Sequence, residues 1–541
     1  MPRGSDTGIR FPADAVLLMR TILLGLLIVI PALTGGAMTP RAMAAQAVER
    51  TDVPGRGVVR VTFDPRVMTW EAQFVDGARL PLGHGLTGDT VGSAAIPTLA
   101  RLEQDVRTAA RVPGFVASLG KGRFRVRQER RSYPVTAELG LGDRLAVSVT
   151  VPFVRVATRA HLRLSSQGGS LGLNPLLQGV PNSGLAYNDF FVQFDTTLTR
   201  LDQNIAAGMY GCAPTTPCAA RDSSVAWHAV RDALHRTVYG VGQSGQPFMP
   251  LDSSDAGRGI VTTVAGIQQT LATTYGVPGF GDALLLASDT LSGASLEAAV
   301  LDSVHGFGYN ALPFRRNFRW GLGDVEVAAK YRLAAGTHYA AAVVAVARLP
   351  TGARDRDDEW LRQSIGDRQT DLEGRLIQEL IVGNRLWLNL AIRAGTQRPG
   401  TRARRVAPFP AILVPFAATT ELRWDPGDYV GVDFAPLYRL SPQFAAGFTA
   451  GYWGKQRDRY SFRSSQDSVD LASRLGVPTS AGVLDEGTSE RRLRLGVAVA
   501  YVGPRVEGGF SIEQTVSGGN AGVTPAAAVY RIVLRVSRKL F

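Results

Sequence analysis

His228 and His235 lie seven residues apart beside Trp227 and so share one face of a helix. Helical metal pairs are usually spaced i, i+4, so this spacing predicts a surface or packing role and no metal is expected. The run Asp355, Asp357, Asp358 and Glu359 has the charge to hold calcium, but it lacks the spacing and glycine of a calcium loop, which predicts a solvated loop. Cys212 and Cys218, with five residues between them, do not fit a metal knuckle or a CxxC redox pair. In an oxidising compartment that spacing favours a small loop disulfide over two free thiols. No nucleophile elbow, metalloprotease helix or phosphate-binding loop is read, so enzymatic activity has no positive signal and no cofactor is expected. A hydrolase would need one of His84, His161, His305 or His338 beside a carboxylate or serine.

The largest set of candidate groups is spread over the chain. Asp324, Glu326, Lys330, Arg385, Asn389, Arg393, Asp433, Arg492, Arg494, Glu507, Glu513, Arg531 and Arg535 occur in stretches where charged and apolar residues alternate. Period-2 alternation describes a strand with one oily and one wet face. Charges of both signs sharing a wet face describe a polar, paired interior, either lining a solute path or filling the space with salt bridges.

Twelve such strands are read. They begin at Gly57–Glu71, followed by the hairpin Arg123–Leu139 and Arg144–Leu162 around the turn Gly140-Leu141-Gly142-Asp143. They resume at Asp324 and continue in pairs to the closing strand Thr524–Phe541. Every second connection is tight (140–143, 334–336, 383–384, 441–443, 503–504) and the others are long or glycine-rich. That alternation is the signature of a membrane barrel with short periplasmic turns and longer outer loops. The expected fold is therefore all-β: an antiparallel transmembrane outer-membrane barrel of 12–14 strands, the upper count applying if Ile412–Arg423 is a further strand. Phe541 lies out of register with the Tyr530–Val536 face, so a bulge or end-fray is expected near Arg538.

Between the third and fourth strands the period changes to that of helices. Phe191, Phe194, Leu198, Leu201 and Ile205, then Trp227, Val230, Leu234 and Val238, then Ile260, Val264, Ile267 and Leu271 each mark an apolar face. The expected organisation is a signal peptide over 1–45, strands 1–3 with a first long loop over 46–163, a helical extracellular insertion over 164–316, and strands 4–12 over 317–541. The signal rests on Arg20 and the apolar run Ile22–Leu33, whose length of about 12 residues falls short of the roughly 20 needed to span a membrane as a helix. The net charge of +13 lacks any nucleic-acid reader motif around it, which favours a surface facing lipopolysaccharide or a polar lumen. Nucleic acid is not an expected partner.

The stretches AELGLGDRLAVSVTVPFVRV (Ala137–Val156), GLGDVEVAAKYRL (Gly321–Leu333) and RLPTG (Arg348–Gly352) are similar to the hairpins of the MetA-pathway-of-phenol-degradation outer-membrane proteins and, more remotely, of FadL-type channels. The resemblance covers about a third of the chain. It implies a passive channel for small hydrophobic or aromatic solutes, and no N-terminal hatch of the FadL kind is read. The other function considered is a structural or adhesive barrel with a blocked lumen that works through its cap. Further expected partners are outer-membrane lipid and the periplasmic barrel-assembly machinery, engaged through the C-terminal strand.

Overall fold

The computed structural model describes residues 49–212, 217–310, 317–353, 356–361, 363–383, 385–408, 411–503, 506–519 and 522–539. The signal segment 1–45, Asp355 and Phe541 lie outside the described residues.

Fourteen strand segments form one sheet, and two pairs of them are single strands with an interruption, leaving twelve. They are β1 (Val58–Phe63 with Arg66–Trp70), β2 (Lys121–Gly140), β3 (Leu145–Ser165) and β4 (Asn317–Leu322 with Glu326–Ala335). Then come β5 (Tyr339–Arg348), β6 (Asp371–Val382), β7 (Leu386–Gln397), β8 (Tyr429–Arg439), β9 (Phe444–Lys455), β10 (Glu490–Val502), β11 (Val506–Gly518) and β12 (Ala528–Lys539). Each pairs antiparallel with its sequence neighbours, and β12 pairs with β1, so the sheet closes with no free edge. The segment Ile412–Arg423 adds no barrel strand: Thr419–Asp425 belongs to a separate three-stranded sheet with Gly400–Arg405 and Arg459–Phe462.

The wet and oily faces fall where alternation places them. Val61, Phe63, Val147, Val149, Tyr331, Leu333, Phe448, Leu495, Val497, Val499, Leu534 and Val536 are exposed on the outer surface. A belt of large apolar side chains around every side of a closed barrel is stable only against lipid. The chain is thus a closed, twelve-stranded antiparallel barrel of the outer-membrane type. No described helix is long and apolar enough to cross a membrane.

Two strands are interrupted, for different reasons. In β1, Pro65 has no N–H to give the ladder, yet the pairs Phe63–Leu534 and Arg66–Arg531 keep one register across it. In β4, four residues advance against three of β3 between the pairs Leu322–Phe153 and Glu326–Thr150, which is a bulge. Of the bulge or end-fray expected near Arg538, neither occurs at Arg538 and Lys539, which pair in an unbroken ladder with Val59 and Val58; residues 540 and 541 lie outside the described residues.

β2 and β3, at 20 and 21 residues, are about twice the 9–11 needed to cross a bilayer. Their upper part rises past the wall and carries a helical body. This contains α1 (Thr98–Ala110), α2 (Ser183–Ala206), α3 (Ala219–Tyr239), α4 (Asp255–Thr273) and α5 (Gly293–Leu301). The apolar faces of α2, α3 and α4 enter one core with Phe124, Val126 and Ala160 of the hairpin, and Tyr187, Phe190 and Phe194 have no exposed area. α1 comes from the first long loop and completes that core, its Asp105 accepting a 2.8 Å hydrogen bond from Arg236 Nε of α3.

Cys212 and Cys218 form a disulfide between α2 and α3, with their Cα atoms 5.3 Å apart. The short loop it closes places its worth at the low end of the usual range, so Cys212→Ser should cost the helical body about 2 kcal/mol. Limited proteolysis between α2 and α3 is expected to quicken in the variant while the heat shift of the barrel on gels stays unchanged.

Candidate functional site

The tight turns leave one end of the barrel open, and the chain before β1 enters it. Glu49, Arg50, Thr51 and Asp52 lie inside the lumen, Arg50 and Thr51 only 5% and 1% exposed. Asn389 Nδ2 donates to the Glu49 carbonyl at 2.8 Å, while Arg375 and Arg393 reach the Glu49 carboxylate at 2.9 and 3.3 Å. Arg50 pairs with Glu507 at 2.5 Å. Thr51 donates through its N–H and its hydroxyl to Glu379, at 3.1 and 2.8 Å. Asp52 takes Arg60 at 2.5 Å, and Lys330 Nζ donates to its carbonyl at 3.4 Å. A buried cation or carboxylate needs such partners, and here each charge on the segment meets its opposite on the wall. The sequence reading anticipated no luminal N-terminal segment. It has no periodicity to reveal it, and the only signal is the dense charge of Glu49-Arg50-Thr51-Asp52 just ahead of a strand.

Most of the alternating charges meet inside the barrel. Asp433 is held between Arg393 and Arg494, at 2.6 and 2.8 Å, and Arg494 also reaches Glu513 at 3.0 Å. Arg492 pairs with Glu490 at 3.3 Å and lies over the Trp453 ring. Glu326 takes Arg348 at 2.9 Å, and Lys330 reaches Glu138 at 3.2 Å. Arg531 bonds both oxygens of Asp64, at 2.7 and 2.9 Å. Arg535 is inward on β12 among Arg50, Asp52 and Glu507. Asp324 sits at the β4 bulge and accepts from the backbone N–H groups of Gly352 and Asp367, both at 2.8 Å.

Arg385 is the exception among these residues. It precedes β7 in the tight turn, is exposed, and donates to the Tyr438 hydroxyl at 3.2 Å, so it does not line the lumen. Period-2 alternation carried past the strand end had assigned it there. Asp64, Arg66, Arg130, Asp371, Glu373 and Arg375 are inward residues that the sequence reading omitted. Asp371, Glu373 and Arg375 alternate along β6 just as the recognised sets do.

The connection between β5 and β6 folds inward. Arg130 donates to the Ser364 and Ile365 carbonyls at 2.5 and 3.0 Å, Gln128 to the Leu361 carbonyl at 3.0 Å, and Ile365 packs on Val154 and Val156. Cavities of about 370, 390 and 190 Å³ are each lined in part by Glu49 and Arg66, and the second also by Ser364, Ile365, Gly366 and Asp367 of this loop. The first is walled by six arginines, at 66, 130, 393, 492, 494 and 531, against the three carboxylates Glu49, Asp433 and Glu513. Such a wall attracts oxygen acceptors and anions.

The remaining sequence candidates are engaged elsewhere. Asp357 accepts from Thr419, Asp358 from Asn310 and Arg356, and Glu359 from Arg319. No group of three potential metal ligands occurs among the described residues. His228 meets Asp202 at 2.9 Å on the surface. His235 packs edge-on to Phe191, and its burial, with Arg231 beside it, holds the imidazole below its ordinary pKa. His84 faces the Pro81 carbonyl, His161 the Arg163 guanidinium and His338 the Thr337 hydroxyl. One G-x-S-x-G spacing, which the sequence reading missed, is present at Gly168–Gly172. Its Ser170 hydroxyl is bonded to the Val116 carbonyl and the Ser118 N–H in a loop beyond β3, with no strand-to-helix elbow.

No protein-family model matches the chain, and no curated protein matches it. Among solved structures it is similar to an outer membrane channel from Pseudomonas putida F1, at 7% identity and a TM-score of 0.41, over 91% of this chain and 100% of that one. It is also similar to the toluene transporter TbuX of Ralstonia pickettii, at 10% identity and 0.29, over 90% of each chain. A third likeness is to the transport unit of the autotransporter AIDA-I from Escherichia coli, at 5% and 0.29, over 97% of this chain and 99% of that one. Identities and scores this low assign neither a family nor a site.

Proposed function

We propose that the chain is a passive channel of the bacterial outer membrane for small hydrophobic or aromatic solutes, closed at rest by its own N-terminal segment. The carrying observation is that Glu49 lines all three cavities and is held to the wall by ion pairs and a hydrogen bond. The solute class follows the hairpin resemblance. The arginine-rich wall adds that a solute needs a polar or anionic group on its apolar body, as a phenol or an aromatic carboxylate has. Tight turns at one end and long loops at the other orient the helical body outward and the termini to the periplasm. Export by the segment 1–45 and recognition of β12 by the barrel-assembly machinery complete this reading.

The saturated pairing of Glu49–Asp52 also favours a second reading, in which the lumen stays blocked and the helical body does the work. Membrane fractionation and planar-bilayer recording separate the two. A channel gives a heat-shifted band in the outer-membrane fraction and conductance that rises when residues 46–53 are removed. A blocked barrel gives the band and no conductance from either form. A soluble, unshifted protein would overturn both.

A further inference from the structure

The outer face of the tall β2–β3 hairpin carries a pattern that the barrel does not require. Even-numbered residues of β2, such as Arg130, Ser132 and Glu138, line the lumen cavities, so odd-numbered ones face out. Directly paired across the hairpin on that outer face are Arg123 with Arg163, Arg125 with His161, Arg127 with Arg159, and Arg131 with Arg155. Like charges directly opposite each other destabilise a sheet, and here arginine pairs occupy three rungs out of five, with an arginine–histidine pair on a fourth.

Little among the described residues offsets them. Arg131 pairs with Glu129 at 2.7 Å and Arg127 with Glu71 at 3.6 Å. Arg123, Arg125, Arg155, Arg159 and Arg163 have no carboxylate within ion-pair distance among the described residues, and Arg123, Arg125, Arg159 and Arg163 are exposed. Arg163 instead donates to His161 Nε2 at 3.0 Å. The inner face of the same ribbon is packed, with Phe124 stacked on Trp360 and Val126 and Ala160 buried. The arginines are therefore held on a rigid, uncovered strip.

The position of the strip indicates what covers it. Below the first rung the outer face is apolar, with Val135, Val147, Val149 and Phe153 exposed. At the junction Tyr133 stacks on Trp320, and the Arg155 guanidinium lies 5.0 and 5.5 Å from the Phe318 and Trp320 ring centres. Aromatic rings of this kind mark the level where lipid tails give way to headgroups. From Arg131 to Arg123 is eight residues, which at the usual rise and a strand tilt near 40° climbs about 20 Å along the membrane normal. A glycerophospholipid headgroup layer is only roughly 6–8 Å thick per leaflet. An anionic glycolipid, with phosphates on its lipid base and further phosphates and carboxylates on the sugars above, spans the whole climb.

We propose that this arginine ladder is a binding strip for lipopolysaccharide, whose stacked anions seat between the rungs. It rests on the outward orientation of the long loops given under the proposed function. The test compares detergent-purified full-length protein, titrated with phosphorylated lipopolysaccharide, dephosphorylated lipopolysaccharide and phosphatidylglycerol, with R123Q/R159Q/R163Q and a charge-matched control, R56Q/R457Q/R459Q. A cation at an anionic membrane surface is worth roughly fivefold in affinity, so the ladder variant should lose on the order of a hundredfold for phosphorylated lipopolysaccharide. The control should lose little, and the wild type should discriminate against both other lipids. Equal losses in both variants, or equal binding of phosphatidylglycerol, would overturn the strip. A heat-shifted band run alongside keeps the two readings apart: present without discrimination, only the strip fails; absent in the wild type, the barrel reading fails with it.

Discussion

Removing residues 46–53 is expected to raise the time-averaged conductance of the reconstituted protein on the order of a hundredfold. The segment is held by Arg375, Arg393 and Asn389 on Glu49, Glu507 on Arg50, Glu379 on Thr51, and Arg60 and Lys330 on Asp52. Charge-assisted bonds contribute about 1.5–3 kcal/mol each in a dry site, and water in the cavities reduces that, so a net preference near 3 kcal/mol for the seated state is reasonable. Such a preference leaves the open state below about 1% populated. Glu49→Gln removes the attraction of two arginines and should give roughly a tenfold rise by itself. The backbone contacts that start β1, Gly57 N–H to the Gly140 carbonyl and Val58 N–H to the Gly55 carbonyl, lie outside the deletion. Conductance unchanged by the deletion would show that the segment is not the closure.

Asp64→Asn should weaken the barrel by about 3 kcal/mol, because it strips the common partner from two buried or half-buried cations. Arg531 of β12 grips Asp64 with two donors, and Arg66 joins from the far side of Pro65. This cluster sits on the seam where the last strand meets the first, at the point where Pro65 leaves the ladder without a donor. With a neutral amide there, two guanidinium groups face each other across the closure. The check is the temperature at which the compact band converts to the unfolded one on gels. Asp64→Asn should convert at a lower temperature, and the pair Asp64→Asn with Arg531→Gln should recover part of the loss. A transition that does not move would mean that backbone pairing alone closes the seam.

The strands were legible because a barrel wall imposes period 2 on every crossing, and β7 shows both the strength and the limit of that signal. Asn389 and Arg393 fall inward as alternation requires, while Arg385 continues the pattern in sequence but stands in a turn, where the backbone no longer alternates. The helical faces of α2, α3 and α4 were equally readable, since each buries one stripe. What escaped has no period. Glu49–Asp52 is extended chain whose place is fixed by partners hundreds of residues away, such as Glu379 and Glu507. The short strands Gly400–Arg405, Thr419–Asp425 and Arg459–Phe462 lie in loops, and only their mutual pairing makes them a sheet.

The helical body is interleaved with the barrel in sequence. α1 lies before β2, and α2 to α5 lie after β3, so the hairpin on which they rest separates them along the chain. The stretch 164–316 is therefore not a detachable module: transplanted to another barrel it would arrive without the helix that fills its core and without the ribbon beneath it. A workable graft would have to carry everything from α1 through α5, membrane hairpin included.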